Sequence, residues 1–207
     1  RVTQIRLTNM KKVLIASNNP GKIAEMRAIL APHDMNVVPQ KEFGVGEAEE
    51  TGSTFLENAL IKARYASVHT GLAAIADDSG LEVDALGGAP GVYSARYAGP
   101  GASDTANNLK LLLELKGLPL AARGGRFRCV LAYVESHDDP HPLIAEGVWE
   151  GFLLDAPQGG SGFGYDPLFW IPSLGMSSAE LPMALKNRLS HRGQALRNLA
   201  SLLKGRH

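Results

Sequence analysis

The sequence predicts an α/β fold built on a mixed sheet. Short apolar runs that end in turn residues alternate with segments whose apolar residues recur at helical spacing, a pattern typical of strand–helix–strand crossovers. Two longer apolar runs, at 127–135 and 143–152, flank the turn His137-Asp138-Asp139-Pro140 and predict an antiparallel hairpin. Crossovers place strands parallel and hairpins place them antiparallel, so the predicted sheet contains both arrangements.

The first predicted strand is the apolar run at 13–17. Asn19 then supplies a helix N-cap, and Pro20 occupies the first helical position, where a backbone N–H is not needed. Apolar residues recur at helical spacing as far as Pro32, which follows the predicted end of this helix. A second, short strand is predicted at 37–38.

A second helix is predicted to begin at Thr54, which forms a capping box with Glu57. It extends to about His69, and Gly71 ends it. Its predicted inner stripe consists of Leu56, Ala59, Leu60, Ala63 and Ala66.

The middle of the chain predicts a strand at 72–76, stopped by the polar turn Asp77-Asp78-Ser79-Gly80, and a possible further strand at 81–86. A Gly/Pro-rich loop at 87–101 leads to a helix over 103–116, which begins with a Ser cap.

The last third contains a glycine-rich loop at 159–166 and two more capped helices. Ser177 and Glu180 predict a capping box for a short helix. Ser190 is predicted to start the final helix. The inner stripe of that helix consists of Leu196, Leu199 and Leu203.

Composition excludes several classes of protein. Lys+Arg and Asp+Glu number 21 each in 207 residues, and this balance does not suggest a nucleic-acid or membrane-surface partner. No apolar run approaches the ~20 residues of a membrane span. Cys129, the single cysteine, indicates a reducing compartment, so a cytoplasmic location is expected. Residues 1–9 are interpreted as a leader or remnant without function, and 10–207 as one domain.

Three segments carry charges suited to phosphate or metal. In Ser17–Lys22, a helix start and a lysine lie together, which suits phosphate; the alternative is an ordinary capped turn with a solvated lysine. In Asp77–Gly80, carboxylates follow a buried strand, which suits Mg²⁺; the alternative is a polar turn. The acidic stretch Glu47, Glu49 and Glu50 offers a second metal ligand or is a solvated loop.

Three further groups are ambiguous in isolation. Asn58 and Lys62 share a helix face away from the apolar stripe, which favours a solvent-facing pair. In the loop around Phe163, glycines permit close approach of a ligand and the ring can stack on a base, or the aromatics simply pack. Lys186 and Ser190–Gly193 offer donors for a purine carbonyl or phosphate, or form a basic helix terminus.

Taken in order, these segments resemble the inosine triphosphate pyrophosphatase family, which clears non-standard purine triphosphates. The matching stretches are SNNPGK (17–22), EETGSTFLENALIKA (49–63), IADDSGLEVDALGGAPGVYSARYAG (75–99), FGYDPLF (163–169) and SHRGQAL (190–196). The resemblance covers nearly the whole chain. It implies an elongated mixed sheet flanked by helices, two lobes with a central active-site cleft, and a homodimer.

The resemblance also implies residue roles. Asp78 is expected to be the general base and a Mg²⁺ ligand, with Lys22 and Lys62 as further catalytic residues. Glu50 or Glu49 is expected to hold the metal as well, with Glu50 favoured. Substrate is expected to contact Ser17, Asn18, Asn19, Pro20, Gly21, Lys22, Lys62, Ser79, Phe163, Gly164, Tyr165, Asp166, Lys186, His191 and Arg192.

The expected reaction is hydrolysis of ITP, dITP or XTP to the monophosphate and pyrophosphate, which keeps deaminated purines out of DNA and RNA. Hypoxanthine and xanthine present an acceptor at O6, whereas adenine presents a donor that leaves buried donors unpaired. Two alternatives stay open at this point. One is a Maf-like pyrophosphatase that acts on other modified nucleotides, and the other is a nucleotide-binding regulator without turnover.

Overall fold

Seven strands and five α-helices make up the described part of the chain, residues 11–206, in this computed structural model; the predicted leader at 1–9 lies outside that part. The strands are β1 (Lys12–Ile15), β2 (Asn36–Pro39), β3 (Ala73–Val83), β4 (Gly124–Val134), β5 (Leu143–Leu153), β6 (Phe169–Ile171) and β7 (Met176–Ser177). The helices are α1 (Pro20–Leu30), α2 (Phe55–Thr70), α3 (Asp104–Glu114), α4 (Met183–Leu189) and α5 (His191–Lys204).

The strands form one sheet in the order β2-β1-β3-β4-β5-β6-β7. β1 pairs in parallel with both β2 and β3, whose connections contain α1 and α2. The other pairs, from β3 to β7, are antiparallel, and the 137–140 turn lies between β4 and β5. The predicted α/β fold with a mixed sheet is confirmed. None of the helices in residues 11–206 is long and apolar enough to span a bilayer.

Strand β3 corrects the prediction of a turn at 77–80. The strand is unbroken, and residues 77–80 pair with 128–131 of β4. These polar residues stay extended because the neighbouring strand supplies their backbone partners, which the periodicity of one segment does not reveal. Gly80 allows close packing, because a β-carbon there would lie 2.4 Å from the carbonyl oxygen of Gly91.

Helix α2 begins at the predicted cap, where the Thr54 hydroxyl accepts from the backbone N–H of Glu57, but its buried face differs from the prediction. Leu56 is 39% exposed, whereas Asn58 and Lys62 are buried. The prediction that this polar pair faces solvent is therefore wrong. The Asn58 side chain exchanges hydrogen bonds with the backbone of Gly52, and Lys62 reaches carboxylate and carbonyl oxygens of β3. Both side chains can be buried because they find polar partners inside.

The other caps follow the prediction. Asn19, Ser103 and Ser190 each accept backbone N–H bonds at the start of α1, α3 and α5. The Ser177–Glu180 capping box is present as well, but it caps only the 3₁₀ turn Ser178–Glu180. Local side chain-to-backbone bonds are thus readable from sequence, while the length of the element that follows is not.

Between the capped helices, two segments have a secondary structure that differs from the predicted one. The predicted strand at 81–86 is the end of β3 followed by a 3₁₀ turn, and the predicted loop at 87–101 contains the 3₁₀ segment Gly91–Arg96. Helix α4 was not predicted, because its seven residues are too few for helical periodicity to be distinctive.

Buried apolar side chains form three clusters. One lies between the sheet and helices α1 and α5, and another packs around α3 and residues 165–181. Alternate residues of β3 contribute to both, so these two clusters share one face of the sheet. The third lies on the opposite face, under α2. Asp77 and Ser79 occupy the same face between the first two clusters, which places a polar band where the apolar core is interrupted.

Candidate active site

Asp77 and Asp78 are consecutive residues of β3, so their side chains point to opposite faces of the sheet. Asp77 faces α1 and α5, and Asp78 faces α2. The parallel register of β1 with β3 ends at the pair Ile15–Ile75, two residues before Asp77. The two carboxylates therefore lie just beyond the carboxyl end of β1, the position at which α/β sheets usually bind ligands.

Lys62 and Asp78 form a buried ion pair on the α2 side. Lys62 Nζ lies 2.9 Å from Asp78 Oδ1 and 2.7 Å from the carbonyl oxygen of Asp77. Burial lowers the pKa of Lys62, but the charges of Asp78 and Glu50 outweigh it and the net shift is upward. Lys62 is therefore a cation at neutral pH.

The Asp78 carboxylate has one occupied and one free oxygen. Burial raises the pKa of Asp78 to about 6, against the opposing charge of Lys62. Oδ2 of Asp78 is buried and lacks a hydrogen-bond partner in residues 11–206. A buried carboxylate oxygen without a partner is costly, which indicates that it awaits a ligand, a water or a proton.

Asp77 is the centre of a second network, on the α5 side. Its Oδ1 lies 2.9 Å from Lys22 Nζ and accepts from Ser79, and its Oδ2 accepts from Arg192 Nε at 2.7 Å and from the Cys129 thiol. Burial raises the pKa of Asp77, but Arg192 and Lys22 together hold it well below its usual value. Asp77 is thus a permanent anion that positions cations rather than a group that takes up protons.

Glu25 is a member of this network that the sequence analysis missed. Its carboxylate is buried in α1, pairs with Arg192 and lies 2.6 Å from Lys186 Nζ, which also lies 2.6 Å from Asp166. Cations and anions therefore alternate from Lys22 to Asp166. Helical spacing offered a signal, because Glu25 is three residues from Lys22 and four before Ile29, on the inner side of α1.

The turn between β1 and α1 is already capped by the chain. The Asn19 side chain accepts from the backbone N–H groups of Gly21 and Lys22, at 2.9 and 3.2 Å, and Ser17 Oγ accepts from Asn19 N. Pro20 offers no N–H. The N–H groups of Gly21 and Lys22 are expected to contact phosphate, but in this structure they donate to the Asn19 side chain. A phosphate here would be held by the Lys22 side chain or would have to displace Asn19.

Asn18 adds one unsatisfied atom to the same turn. Its backbone N–H donates to Glu47 at 3.0 Å, while its side-chain Oδ1 is buried without a partner in the described chain. The acidic loop that follows β2 is thereby tied to the turn. The expectation that this turn and the acidic loop serve one site is consistent with their contact.

The glycine-rich loop is held by Asp166. Its Oδ2 accepts from Phe163 N at 3.0 Å and from Lys186, and its Oδ1 accepts from Ser178. The expected contact of Asp166 with substrate would therefore compete with three internal hydrogen-bond donors, those of Phe163, Ser178 and Lys186. Gly162 is required beside it, because a β-carbon there would lie 2.1 Å from the Asp166 carboxylate.

Phe163 lies at the centre of the base region. Its ring packs on Gly21, where a β-carbon would be only 2.4 Å from Phe163 Cδ1. Lys186 Nζ and the Arg192 guanidinium lie over the ring at 4.8 and 5.6 Å from its centroid. The ring is at the boundary of two cavities, of about 110 and 600 Å³, and Lys186 borders both. A stacked base would have to share this position with the loop.

Tyr165 and Gly164 frame the same loop. Tyr165 is buried and its hydroxyl donates to the carbonyl oxygen of Ser94 at 2.7 Å. Gly164 adopts a φ of 60° and its N–H donates to Asp104. Tyr165 is therefore a structural anchor of the loop, and the backbone N–H and carbonyl oxygen of Gly164 already bond to Asp104 and Asn108.

His191 forms part of the smaller cavity. It stacks on Phe127, with ring centroids 4.7 Å apart and planes at 15°, and its Nδ1 is buried without a partner among residues 11–206. Burial lowers the pKa of His191 well below its usual value, and the neighbouring Arg192 lowers it further. The imidazole is therefore neutral at physiological pH, with one donor and one acceptor nitrogen.

The two candidate glutamate ligands of a metal differ in burial and in contacts. Glu50 is partly buried and lies 3.7 Å from both Lys62 and Arg96, whereas Glu49 is exposed. Within residues 11–206, no cluster of three His, Cys, Asp or Glu side chains is arranged to hold a metal ion by itself. Any ion at Asp78 and Glu50 would therefore need phosphate oxygens or waters to complete its ligands, which is usual for Mg²⁺.

Known proteins similar to this chain point to one family. The model of the Ham1 family matches residues 13–202. A protein of Methylococcus capsulatus named dITP/XTP pyrophosphatase is 57% identical over 194 residues, with 94% of this chain and 96% of the relative covered.

Solved structures of similar proteins share the fold of this chain. A HAM1 protein from Coxiella burnetii superposes with a TM-score of 0.85 at 49% identity, covering 95% of this chain and 100% of the other. A nucleoside-triphosphatase, or dITP/XTP pyrophosphatase, from Mycobacterium abscessus gives a TM-score of 0.71 at 42% identity, covering 93% and 99%.

Proposed function

This chain belongs to the Ham1 family, and we propose that it hydrolyses non-standard purine nucleoside triphosphates such as ITP, dITP and XTP to the monophosphate and pyrophosphate. Similar proteins that carry the name dITP/XTP pyrophosphatase support the substrate class. The proposed role is to clear deaminated purines from the nucleotide pool. The further steps of the proposal concern how the residues of this chain perform that reaction.

The observation that carries the proposal is the arrangement of charge around two consecutive residues of β3. Lys22 approaches Asp77 from α1, and Lys62 approaches Asp78 from α2, each at 2.9 Å. Two cations from separate elements thus lie on either side of one strand, and the one on the α2 side pairs with a carboxylate whose second oxygen has no partner in the described chain. Cations close to a general base are the groups that hydrolysis of a polyphosphate needs.

The proposed reaction is attack of water at the α-phosphorus. Asp78 Oδ2 accepts a proton from the water while the water oxygen bonds to phosphorus. The bond between that phosphorus and the bridging oxygen breaks, and its electron pair leaves with pyrophosphate. Lys22 and Lys62 stabilise the negative charge that gathers on the phosphate oxygens. Lys62 also orients the carboxylate, because it holds Oδ1 and leaves Oδ2 without a partner in the described chain.

A divalent metal fits the residues present. Asp78 offers a buried oxygen that has no partner in the described chain. The Glu50 carboxylate lies 3.7 Å from Lys62 Nζ, the cation that also pairs with Asp78. We propose that these two carboxylates hold Mg²⁺ together with phosphate oxygens. When bound, the ion would neutralise phosphate charge and acidify a coordinated water. Glu49 is exposed and is the weaker candidate.

Base selection is proposed to follow from an excess of donors. Arg192 and Lys186 have only donors, and both are fixed by buried carboxylates beside the Phe163 ring. A 6-oxo purine offers them an acceptor, whereas the 6-amino group of adenine offers a donor. An unpaired buried donor costs ~1–3 kcal/mol, so adenine nucleotides should be poor substrates. Neutral His191 adds one further donor at the cavity wall.

Product analysis tests the proposed reaction. The enzyme is incubated with ITP and Mg²⁺ in ¹⁸O-labelled water, and the products are separated. We expect IMP and pyrophosphate in equal amounts, with the label in IMP. Label confined to pyrophosphate would place the attack at the β-phosphorus. Binding of ITP without turnover would instead establish a regulator, and turnover of modified pyrimidine triphosphates alone would establish a Maf-like specificity.

Assembly and location are proposed on the family resemblance. We propose a homodimer in the cytoplasm, without nucleic-acid or membrane partners. The equal numbers of acidic and basic residues support the absence of those two partners, and the buried, unpaired thiol of Cys129 suits a reducing compartment. Light scattering during size-exclusion chromatography checks the dimer, which should elute at twice the 22.1 kDa mass of the chain.

A further inference from the structure

We propose that Arg96 is an additional phosphate-binding residue, which contacts the β- or γ-phosphate of the substrate and the departing pyrophosphate. The proposal deepens the proposed function and rests on it. Arg96 belongs to the SARYAG stretch at 94–99, to which the resemblance assigned no role. The structure places its guanidinium at the edge of the candidate active site.

The guanidinium lies across Glu50 from Lys62. Arg96 Nη1 is 3.7 Å from Glu50 Oε2, and Lys62 Nζ is 3.7 Å from Glu50 Oε1. One carboxylate thus separates the two cations, and Lys62 in turn holds Asp78. The row Asp78, Lys62, Glu50, Arg96 extends from the proposed general base to the partly exposed rim of the site.

The backbone that carries Arg96 is fixed relative to β3. Arg96 ends the 3₁₀ segment that begins at Gly91. In the middle of that segment, Ser94 Oγ accepts from Leu81 N at 2.9 Å and donates to the carbonyl oxygen of Gly91. Gly80 lets the segment press on the strand only two residues beyond Asp78. The position of Arg96 is therefore set by the same strand that positions the base.

The same segment is tied to the base loop. The Tyr165 hydroxyl donates to the carbonyl oxygen of Ser94 at 2.7 Å. The segment that carries Arg96 is consequently fixed both to the strand that carries Asp78 and to the loop proposed to hold the base. The distal position of Arg96 follows from its place across Glu50 from Lys62.

The Arg96 side chain has donors to spare. Its 3.7 Å separation from Glu50 is longer than a direct hydrogen bond, so the guanidinium is not tied to that carboxylate. About a third of the Arg96 side chain is exposed, and its guanidinium lies 5.1 Å from the centroid of the Tyr93 ring. A guanidinium that is positioned by stacking and only loosely paired can present a bidentate edge to phosphate.

Charge balance favours such a contact. A triphosphate carries about four negative charges at neutral pH, since only its last ionisation lies near pH 7. Lys22 and Lys62 each already face a carboxylate of β3 at 2.9 Å. A third cation beyond Glu50 would meet the end of the polyphosphate at which the leaving group gathers charge. The competing explanation is that Arg96 only holds the loop that contains Glu50.

The test compares Arg96→Gln and Arg96→Lys with the wild type. Arg126→Gln is the matched control, because Arg126 is also a partly exposed arginine that pairs with carboxylates, Asp84 and Glu150, but it lies near the start of β4, away from Asp78. Three quantities are measured: kcat/KM for ITP, competitive inhibition by pyrophosphate and by IMP, and calorimetric binding of inorganic tripolyphosphate in EDTA.

We expect Arg96→Gln to lower kcat/KM for ITP and to weaken both pyrophosphate inhibition and tripolyphosphate binding by about tenfold or more, the value of one charge-assisted hydrogen bond. Inhibition by IMP should stay unchanged, because IMP lacks the distal phosphates. Arg96→Lys should recover part of the loss, since it restores charge without the bidentate edge. Arg126→Gln should behave as the wild type.

Unchanged pyrophosphate and tripolyphosphate binding in Arg96→Gln would overturn the inference. So would a loss that extends equally to IMP, or one that higher Mg²⁺ fully restores, since either would indicate that Arg96 only places Glu50. Failure of the proposed function looks different. In that case the wild type itself releases no pyrophosphate from ITP, whatever the Arg96 variants do.

Discussion

Lys62 Nζ lies 2.9 Å from Oδ1 of Asp78, and the pair is buried with the second carboxylate oxygen left unpaired within the described chain. This relationship joins helix α2 to strand β3 and fixes the direction of the carboxylate. It also gives the two oxygens of one side chain different tasks. Oδ1 compensates the charge of Lys62, and Oδ2 is available for a proton or a ligand.

Asp78→Asn should abolish most hydrolysis while ITP still binds. The amide oxygen can keep the bond to Lys62, but the side chain can no longer accept a proton from water. Loss of a general base lowers turnover about 10²–10⁴-fold. Single-turnover release of pyrophosphate measures the rate, and calorimetry in Ca²⁺ measures binding. Asp138→Asn, in the exposed hairpin turn, is the control and should leave both unchanged. A variant that retains near-normal turnover would contradict the role of Asp78.

Glu25→Gln should destabilise the fold strongly. Glu25 is buried and is the shared partner of Lys186 and Arg192, so its neutralisation leaves two buried cations with less compensation. Removing one member of a buried ion pair typically costs about 3–5 kcal/mol. Urea unfolding followed by circular dichroism measures the free energy of unfolding.

The control for Glu25 is Glu42→Gln, because Glu42 pairs with Arg27 on the surface at 3.5 Å with about half of its side chain exposed. A surface pair contributes ~0–1 kcal/mol, so this change should be small. Equal effects of the two substitutions would show that the buried charge network does not support the fold.

Gly21→Ala should impair catalysis without unfolding the protein. The added methyl group would lie 2.4 Å from the Phe163 ring, so the ring must move, although alanine favours the helix itself by up to about 1 kcal/mol. We expect KM for ITP to change by about tenfold while Tm is kept or raised. Gly46→Ala is the control, because a β-carbon there meets open space. If Gly21→Ala matches the control in KM, the contact between Phe163 and Gly21 has no role in substrate binding.

His191 should make the protein lose stability as pH falls below about 6.5. Burial and Arg192 hold its folded-state pKa well below the unfolded value of about 6.5. Below that pH the unfolded chain therefore binds a proton that the folded chain does not, and unfolding becomes more favourable. One such group contributes at most about 1.4 kcal/mol per pH unit. The charged groups around it, Asp77, Lys186 and Lys22 besides Arg192, are the same in wild type and variant.

His191→Gln isolates this contribution. The free energy of unfolding is measured from pH 7.5 to 5 for both proteins, and its slope below pH 6.5 should be smaller in the variant. The comparison is needed because Asp78, whose pKa is raised to about 6, acts in the opposite direction: it stabilises the fold increasingly as pH falls from about 6 towards 4. Identical slopes in the two proteins would mean that His191 titrates normally in the folded state.

Local chemistry explains what the sequence could predict. The caps at Asn19, Thr54 and Ser190 are bonds between a side chain and amides two or three residues away, so a short window contains all the information. The hairpin of β4 and β5 is equally local, and its bounds differ from the prediction by three residues or fewer. The class of fold followed from these pieces and their order.

Long-range partners explain what it could not predict. Asp77–Gly80 resembles a turn by composition, yet β4, about fifty residues later, keeps it extended. Glu25 resembles a surface residue, yet Lys186 and Arg192 arrive from the other end of the chain to pair with it. Asn58 and Lys62 resemble a solvent-facing pair, yet Asn58 bonds to the backbone of Gly52 and Lys62 bonds to oxygens of β3, all outside the helix that carries them.

In the candidate site, too, the residue types are readable from the sequence while their partners are not. The residue types and the family resemblance predict Lys22, Lys62 and Asp78 as site residues, and in the structure both lysines pair with carboxylates of β3. The division of labour between Asp77 and Asp78 required the partners of each carboxylate. The Phe163 packing on Gly21 also needed coordinates, because neither residue signals the other in the sequence.

The ratio of kcat/KM for ITP to that for ATP tests the central claim most directly. Pyrophosphate release is measured for both nucleotides with the same enzyme preparation at neutral pH with Mg²⁺. The 6-amino group of adenine cannot accept from the N–H groups of Arg192 and Lys186, whereas the 6-oxo group of hypoxanthine can. We therefore expect a preference for ITP of about ten- to a hundredfold. Equal values for ITP and ATP, or release of inorganic phosphate in place of pyrophosphate, would contradict the account.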